Sequence, residues 1–237
     1  MQLFISDNYS IDKEHIIIND DRIVHQCLKV LRVKTWWIFL LQDNSWSLRY
    51  TITIDTIDKN KVSWHIIEKI AYHANKVSHT ICVALPNRID KAELIVQKLS
   101  EIGVKNIIFI ASKRSIIHEL SEKKIQRLHS IAVEAIEQSF GRHTPSITVH
   151  TLEEIIKNNS QRDYYHYLLD HQWTKINTTN NVTGKSIYTY IWPEWWFTQD
   201  EKDIILQQSN SQSISLWDTN LRMETAAIIS ARIVHNL

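Results

Sequence analysis

The pattern of apolar positions changes character near residue 78. Before it, short runs rich in β-branched and aromatic residues dominate: MQLFI (1–5), WIFLLQ (37–42) and SLRYTITID (47–55), the last with period-two alternation. One helical stretch interrupts them. In DDRIVHQCLKVLR (20–32), Ile23, Val24, Cys27, Leu28 and Leu31 recur at the spacing of one helix face, and Asp20 stands where an N-cap belongs. This pattern predicts a small β-barrel-like module with one helix packed on it.

After residue 78, continuous apolar strands alternate with amphipathic helices. SHTICVAL is followed by a helix over RIDKAELIVQKLSEI that stops at Gly103, and KNIIFIAS by a long helix over SEKKIQRLHSIAVEAIEQS. Further strands are predicted at SITVH, YYHYLLD, SIYTYI and SISLW. Helices are predicted over LEEIIKN (capped by Thr151), QDEKDIILQQ and METAAIISARIVH. Strands that are apolar throughout and alternate with helices indicate an α/β fold, its parallel sheet covered on both faces. HQWTKINTTNNVTGKS (171–186) has no period and reads as a loop. The domains are therefore expected at 1–72 and 73–237.

Composition changes this picture in one respect. A chain of 237 residues, 43% hydrophobic and 22% charged, is ordinary for one large or two modest globular domains. No apolar run approaches the roughly 20 residues that span a bilayer, and MQLFISDNYSIDKEH lacks the basic-then-apolar order of a secretory signal, so a cytoplasmic protein without membrane contact is expected. Cys27 and Cys82 lie in apolar stretches, without metal-ligand spacing, and read as small buried hydrophobes; no metal is expected. A net charge of +1 excludes a uniformly basic nucleic-acid binder. Positive charge nevertheless clusters at LKVLRVK (28–34), SKR (112–114) and EKKIQR (122–127), the last reading as a solvated helix face.

The anomaly is glycine. Three glycines are far below the usual ~7%, while tryptophan occurs nine times, often at turn positions such as VKTWWIF, DNSWSL and PEWWFT. Glycine supplies backbone positions at φ > 0, or with no room for a Cβ, at least steric expense. Such positions must exist in a fold of this size.

In an open α/β sheet, ligands bind beyond the carboxyl ends of the strands. Two stretches take that place, YIWPEWWFTQDE and SLWDTNLRMETAA, and no Walker loop, G-x-G-x-x-G, H-E-x-x-H or nucleophile elbow competes with them. IWPEWWF (191–197) and LWDTNLRMETAA (216–227) resemble the paired motifs I-G-P-E-G-G-F and L-G-x-x-I-L-R-x-E-T-A-A of RsmE-type methyltransferases, members of the SPOUT (trefoil-knotted) superfamily. VHQCLKVLRVKTW (24–36), AELIVQKLSEIGV (92–104), KRS and IAVEAIEQS (131–139) are similar to other segments of that family. The departures run one way. Tryptophan stands at family glycine positions 36, 192, 195, 196 and 217, whereas independent mutations would scatter over several residue types. A uniform replacement is what results when UGA codons that an organism reads as glycine are written as tryptophan.

The resemblance implies an N-terminal PUA-like RNA-binding β-barrel module and a C-terminal SPOUT domain with a parallel sheet and trefoil knot. It also implies a homodimer that methylates N3 of a uridine in 16S rRNA of the small ribosomal subunit, using S-adenosylmethionine (AdoMet). By that resemblance AdoMet would be held by Leu169, by Ile191, Trp192, Glu194, Trp195 and Trp196 of the first motif, and by Leu216, Trp217, Leu221 and Thr225 of the second. Arg222 is the candidate for stabilising the anion that forms as N3 loses its proton, and Glu224 the second candidate catalytic residue. Arg32, Lys34, Arg114 and Arg142 are candidates for RNA phosphates. His25, which matches a family histidine, reads equally as a packing residue. Two other functions stay open on these residues: a SPOUT enzyme acting on another RNA, such as tRNA ribose, and a non-catalytic RNA-binding module whose indoles stack bases at roughly 1–3 kcal/mol each.

Overall fold

The structure, a computed structural model, describes residues 1–44, 47–58, 61–71, 78–159, 164–170, 185–192, 197–215 and 219–234. The chain separates into two compact units, Met1–Ala74 with Ile136–His143, and Asn75–Ala135 with Thr144–Leu237. Residues 72–77, where the sequence places the domain boundary, and most of the expected 171–186 loop lie outside the described residues.

The N-terminal unit is a six-stranded mixed sheet. Its strands are β1 (Gln2–Ile5), β2 (Tyr9–Asp12), β3 (His15–Ile18), β4 (Ile38–Gln42), β5 (Leu48–Asp58) and β6 (Lys61–Ala71). They run in the order β1-β4-β5-β6-β3-β2, with β1 and β4 parallel and every other neighbour antiparallel. Register shifts at Thr51/Ile52 and Ile54/Thr56 in the long β5–β6 pair are irregularities of the kind that bend a sheet. Helix α1 (Asp21–His25) begins where expected, its first turn capped by Asp20, whose Oδ1 accepts from the amides of Arg22 (3.0 Å) and Ile23 (3.4 Å). From Gln26 to Leu31 it widens into a π-helical turn that ends at Arg32, φ 50°. Ile23 and Cys27 reach the core beside Phe4, Phe39 and Tyr50, and burial pushes the Cys27 thiol up to about 12. His25 is exposed, so the packing role is not the one it takes. Residues 136–143 join this unit through buried Glu137, which accepts from the Ile5 amide (3.1 Å) and from both terminal nitrogens of Arg22 (3.0 Å each), and through the Gly141 carbonyl, which accepts from Arg49 at 2.6 Å.

The second unit is the predicted α/β layer. Its strands are β7 (His79–Ala84), β8 (Asn106–Ile110), β9 (Ser146–His150), β10 (Tyr165–Leu169), β11 (Ile187–Ile191) and β12 (Ser211–Ile214). They are all parallel, in the order β12-β10-β11-β7-β8-β9. The helices are α2 (Ile89–Ile102), α3 (Glu122–Ser139), α4 (Leu152–Asn159), α5 (Gln199–Leu206) and α6 (Met223–Val234). Successive strand residues point to opposite faces, and the two faces carry separate cores. Ile81, Val83, Phe109 and Ile191 pack with α2 and α6 on one, while Cys82, Ile110, Leu168 and Tyr190 pack with α4 and α5 on the other. After β12 at the sheet edge, the chain returns to lay α6 against β7, β11 and α2, where Ala226, Ala227 and Ala231 permit close approach. Helix α2 buries Ala92, Ile95, Val96 and Leu99 at helical spacing and ends at Gly103, φ 93°, whose amide donates to Leu99 and Ser100.

Backbone conformation separates the tryptophans. Trp37 donates its amide to the Lys34 carbonyl (3.3 Å), closing a turn whose third residue, Trp36, has φ 72° and is 77% exposed. Glycine is the favoured residue at that position of a turn. Trp64 is the opposite case, fully buried with its ring edge-on to Phe39 at 5.3 Å. Gly141 owes its place to space, since a Cβ there would meet Ile136 at 3.1 Å.

Buried His166 packs against the rings of Tyr188 and Tyr190, its Nδ1 3.0 Å from the Tyr190 hydroxyl, and burial pushes its pKa down to about 4. The neutral imidazole is therefore the folded form. Its contribution is complete above the unfolded value of about 6.5 and is lost as pH falls from there towards 4. Between pH 6.5 and 5, above most carboxylate titration, the melting temperature should fall with acidification, and His166→Gln should flatten that decline in a thermal-denaturation series.

Candidate active site

Because the sheet is all parallel, its carboxyl ends share one edge, and the described residues among those the sequence singled out in this unit lie along it. Strand β10 ends at Leu169 and Asp170, whose amide donates to the Ile214 carbonyl of β12 at 2.8 Å. Strand β11 ends at Ile191 and Trp192; the half-buried indole packs against both cores, and the Lys202 amine stands 5.3 Å from its ring centroid. Glu194, Trp195, Trp196, Leu216 and Trp217 lie outside the described residues.

The second motif leads into α6. Leu221 packs against the same core as Trp192, and the Arg222 carbonyl accepts from the Ala226 amide at 2.8 Å, which places Arg222 at the start of the helix with its side chain exposed. Thr225 is half-buried in the first turn. In Glu224, Oε2 is buried without a hydrogen-bond partner among the described residues. A helix N-terminus favours negative charge by about 0.3–1 kcal/mol, which accounts for an acid in this turn. It does not account for an unmet acceptor, which costs about 1–3 kcal/mol or more.

Helix α5 fixes the far side of this edge. Thr198 and Glu201 form a reciprocal capping box, with the Thr198 amide donating to Glu201 Oε2 (2.8 Å) and the Glu201 amide to Thr198 Oγ1 (3.3 Å). The other Glu201 oxygen accepts from the Lys113 amide beyond β8 (2.9 Å). Lys202 donates to buried Asp170 at 2.9 Å. The Thr-x-x-Glu spacing is legible in the sequence; Asp170 and Lys202 are 32 positions apart and share no local pattern. Of the RNA candidates, Arg114 belongs to this unit, while Arg32, Lys34 and Arg142 belong to the N-terminal one. All four are exposed. Among the described residues, no group of three or more His, Cys, Asp or Glu is placed to hold a metal, and no helix is long and apolar enough to cross a membrane.

Comparison with known proteins agrees with this architecture. Residues 73–235 match the family model described as RNA methyltransferase domain. The chain is 28% identical over 220 residues to ribosomal RNA small subunit methyltransferase E of Rickettsia conorii, covering 92% of this chain and 88% of that protein. It is 26% identical over 187 residues to the Bacillus subtilis protein of the same name, covering 74% and 72%. The crystal structure of the Neisseria gonorrhoeae enzyme of that name, bound to S-adenosyl methionine, superposes with a TM-score of 0.84 at 20% identity over 100% of this chain and 97% of that one. Strand-end motifs, parallel sheet and family match coincide on one stretch of sequence, and the chain belongs to the RNA methyltransferase domain family.

Proposed function

We propose that this protein transfers a methyl group from AdoMet to N3 of a uridine in 16S rRNA of the small ribosomal subunit, as a cytoplasmic homodimer whose N-terminal unit is a PUA-like RNA-binding module and whose C-terminal unit carries the SPOUT knot. The observation that carries it is the Glu224 oxygen, orphaned among the described residues, in the first turn of α6, two positions after Arg222, at the carboxyl edge of the sheet. The residues present suit the cofactor. AdoMet carries ammonium and hydroxyl donors, and a buried acceptor without a donor is the group they need. Leu169, Ile191, Leu221 and Thr225 would hold it together with Glu194 and Leu216, and the cofactor supplies an electrophilic methyl on a sulfonium. The protein's task is then alignment and charge. Uracil N3 is a poor nucleophile until its proton leaves, and Arg222 stabilises the anion that results. Arg32, Lys34, Arg114 and Arg142 meet RNA phosphates, which provide affinity and register but little sequence information.

The natural protein carries glycine where tryptophan is written at positions 36, 192, 195, 196 and 217. Supporting this are the scarcity of glycine, the family motifs, and the turn at Trp36, where φ 72° is the conformation that glycine adopts without strain. Trp64, enclosed by the core, is a true tryptophan in this reading. The gene settles the matter, with TGA expected at the five positions and TGG at 64.

The reaction is tested by incubating labelled AdoMet, small subunits from a strain lacking the enzyme, and the five-glycine form, then digesting the RNA for mass analysis. 3-Methyluridine in 16S rRNA is expected. A ribose-methylated product would move the protein to another SPOUT activity, and RNA binding without AdoMet uptake would make it a non-catalytic module.

A further inference from the structure

The Glu201 carboxylate does more than a cap requires. A capping box needs one oxygen and ordinarily sits at the surface, yet Glu201 is 2% exposed and uses both. Oε2 receives the amide and hydroxyl of Thr198 (2.8 and 3.0 Å), closing the cap. Oε1 leaves its own helix and receives the Lys113 amide at 2.9 Å. Lys113 is the second residue of a tight turn, closed by the Ser115 amide on the Ser112 carbonyl (3.0 Å) and by their two buried hydroxyls at 2.7 Å. The third residue of that turn is exposed Arg114. A buried carboxylate on α5 is therefore bonded to the backbone of the residue next to the arginine.

We propose that Glu201 is a positioning residue for RNA binding, holding the Ser112–Ser115 turn in the orientation that presents Arg114 to a phosphate. The inference rests on the assignment of Arg114 to RNA made above. Lys113 reinforces the link from outside, its amine 3.5 Å from Asp200 on the first turn of α5. Glutamine at 201 keeps the size but offers one acceptor oxygen where the carboxylate offers two, and turns an amide NH2 towards a donor. The turn then loses its anchor while α5 retains part of its cap.

The test is binding of in-vitro-transcribed 16S rRNA to the full chain over a series of salt concentrations, read by anisotropy, for the parent, Arg114→Ala, Glu201→Gln and the double variant. Arg114→Ala should weaken binding about 3- to 10-fold and lower the slope of log K against log salt by about 0.7–0.9, the signature of one lost phosphate contact. Glu201→Gln should lower affinity and slope in the same sense, and the double variant should bind no more weakly than Arg114→Ala. Thr198→Ala, which cuts the cap and leaves Oε1 on Lys113, should lower the melting temperature with the slope unchanged. If glutamine prevents folding, Glu201→Asp, which keeps the charge but is one methylene short, is expected to give the same slope loss. An unchanged slope in a folded Glu201 variant, or fully additive effects in the double variant, overturns the inference and leaves the proposed function standing. An Arg114→Ala protein with parental affinity and slope removes the RNA assignment itself, and the inference with it.

Discussion

Glycine at positions 192, 195, 196 and 217 is expected to raise AdoMet affinity at least about tenfold over the chain as written, measured by titration calorimetry. The motifs that these positions interrupt resemble loops whose backbone closely approaches the cofactor, an approach that a Cβ obstructs. Strain from a non-glycine residue at such a position is on the order of 1–3 kcal/mol, and about 1.4 kcal/mol is one factor of ten in affinity. Where that strain is borne only in the cofactor-bound conformation, one relieved position in the upper part of the range reaches the threshold. Two variants in the N-terminal unit act as internal standards. Trp36→Gly releases left-handed strain of about 1–2 kcal/mol, against a glycine entropy penalty of about 0.5–1 kcal/mol, and should leave stability level or up to about 1.5 kcal/mol higher. Trp64→Gly empties the centre of the core and should destabilise by at least about 3–5 kcal/mol. Equal losses in the two variants, with no gain in AdoMet affinity in the first set, would falsify the glycine assignment.

Arg222→Ala should lower the rate of methyl transfer by roughly 10²–10³-fold, about 2.7–4 kcal/mol of transition-state stabilisation, with AdoMet affinity almost unchanged. The same variant should leave the fold slightly more stable. Arg222 stands at the start of α6, where the helix dipole disfavours a cation by about 0.3–1 kcal/mol, and its side chain is exposed. A positive charge where helix electrostatics oppose it does not serve stability, which accords with the catalytic role proposed above. Thermal denaturation and single-turnover kinetics on one preparation check both signs. A loss of stability parallel to the loss of rate would reduce Arg222 to a structural residue.

Much of the α/β unit was legible because its physics is local. The strands are buried on both faces and so read as continuous apolar runs, and α2 shows its buried stripe at 92, 95, 96 and 99. The edge strand β12 was harder to read. Its first residues, Ser211, Gln212 and Ser213, are polar and half-buried, so the first apolar residue comes three positions after the pairing with β10 begins. Apolar spacing along 20–32 gave the helix but not its π-helical second half, because Ile23 and Cys27 face the core in either geometry. At the site, the strand-end motifs were visible and the Thr198–Glu201 cap went unread, whereas the Asp170–Lys202 pair and the reach of Glu201 to Lys113 exist only once separate elements meet. The turn at Trp36 was visible as a residue out of place before it was visible as a backbone angle.

The position of α6 has a consequence for how the protein is made. Helix α6 lies against β7 and β11, in the middle of the sheet, although it is made after all six strands of that sheet. Until α6 has been made, the nascent chain must display the part of those strands' apolar face that this helix covers. A product stopped anywhere before residue 223 lacks the helix that closes its own core, and should be held by chaperones or degraded rather than accumulate as a partial enzyme.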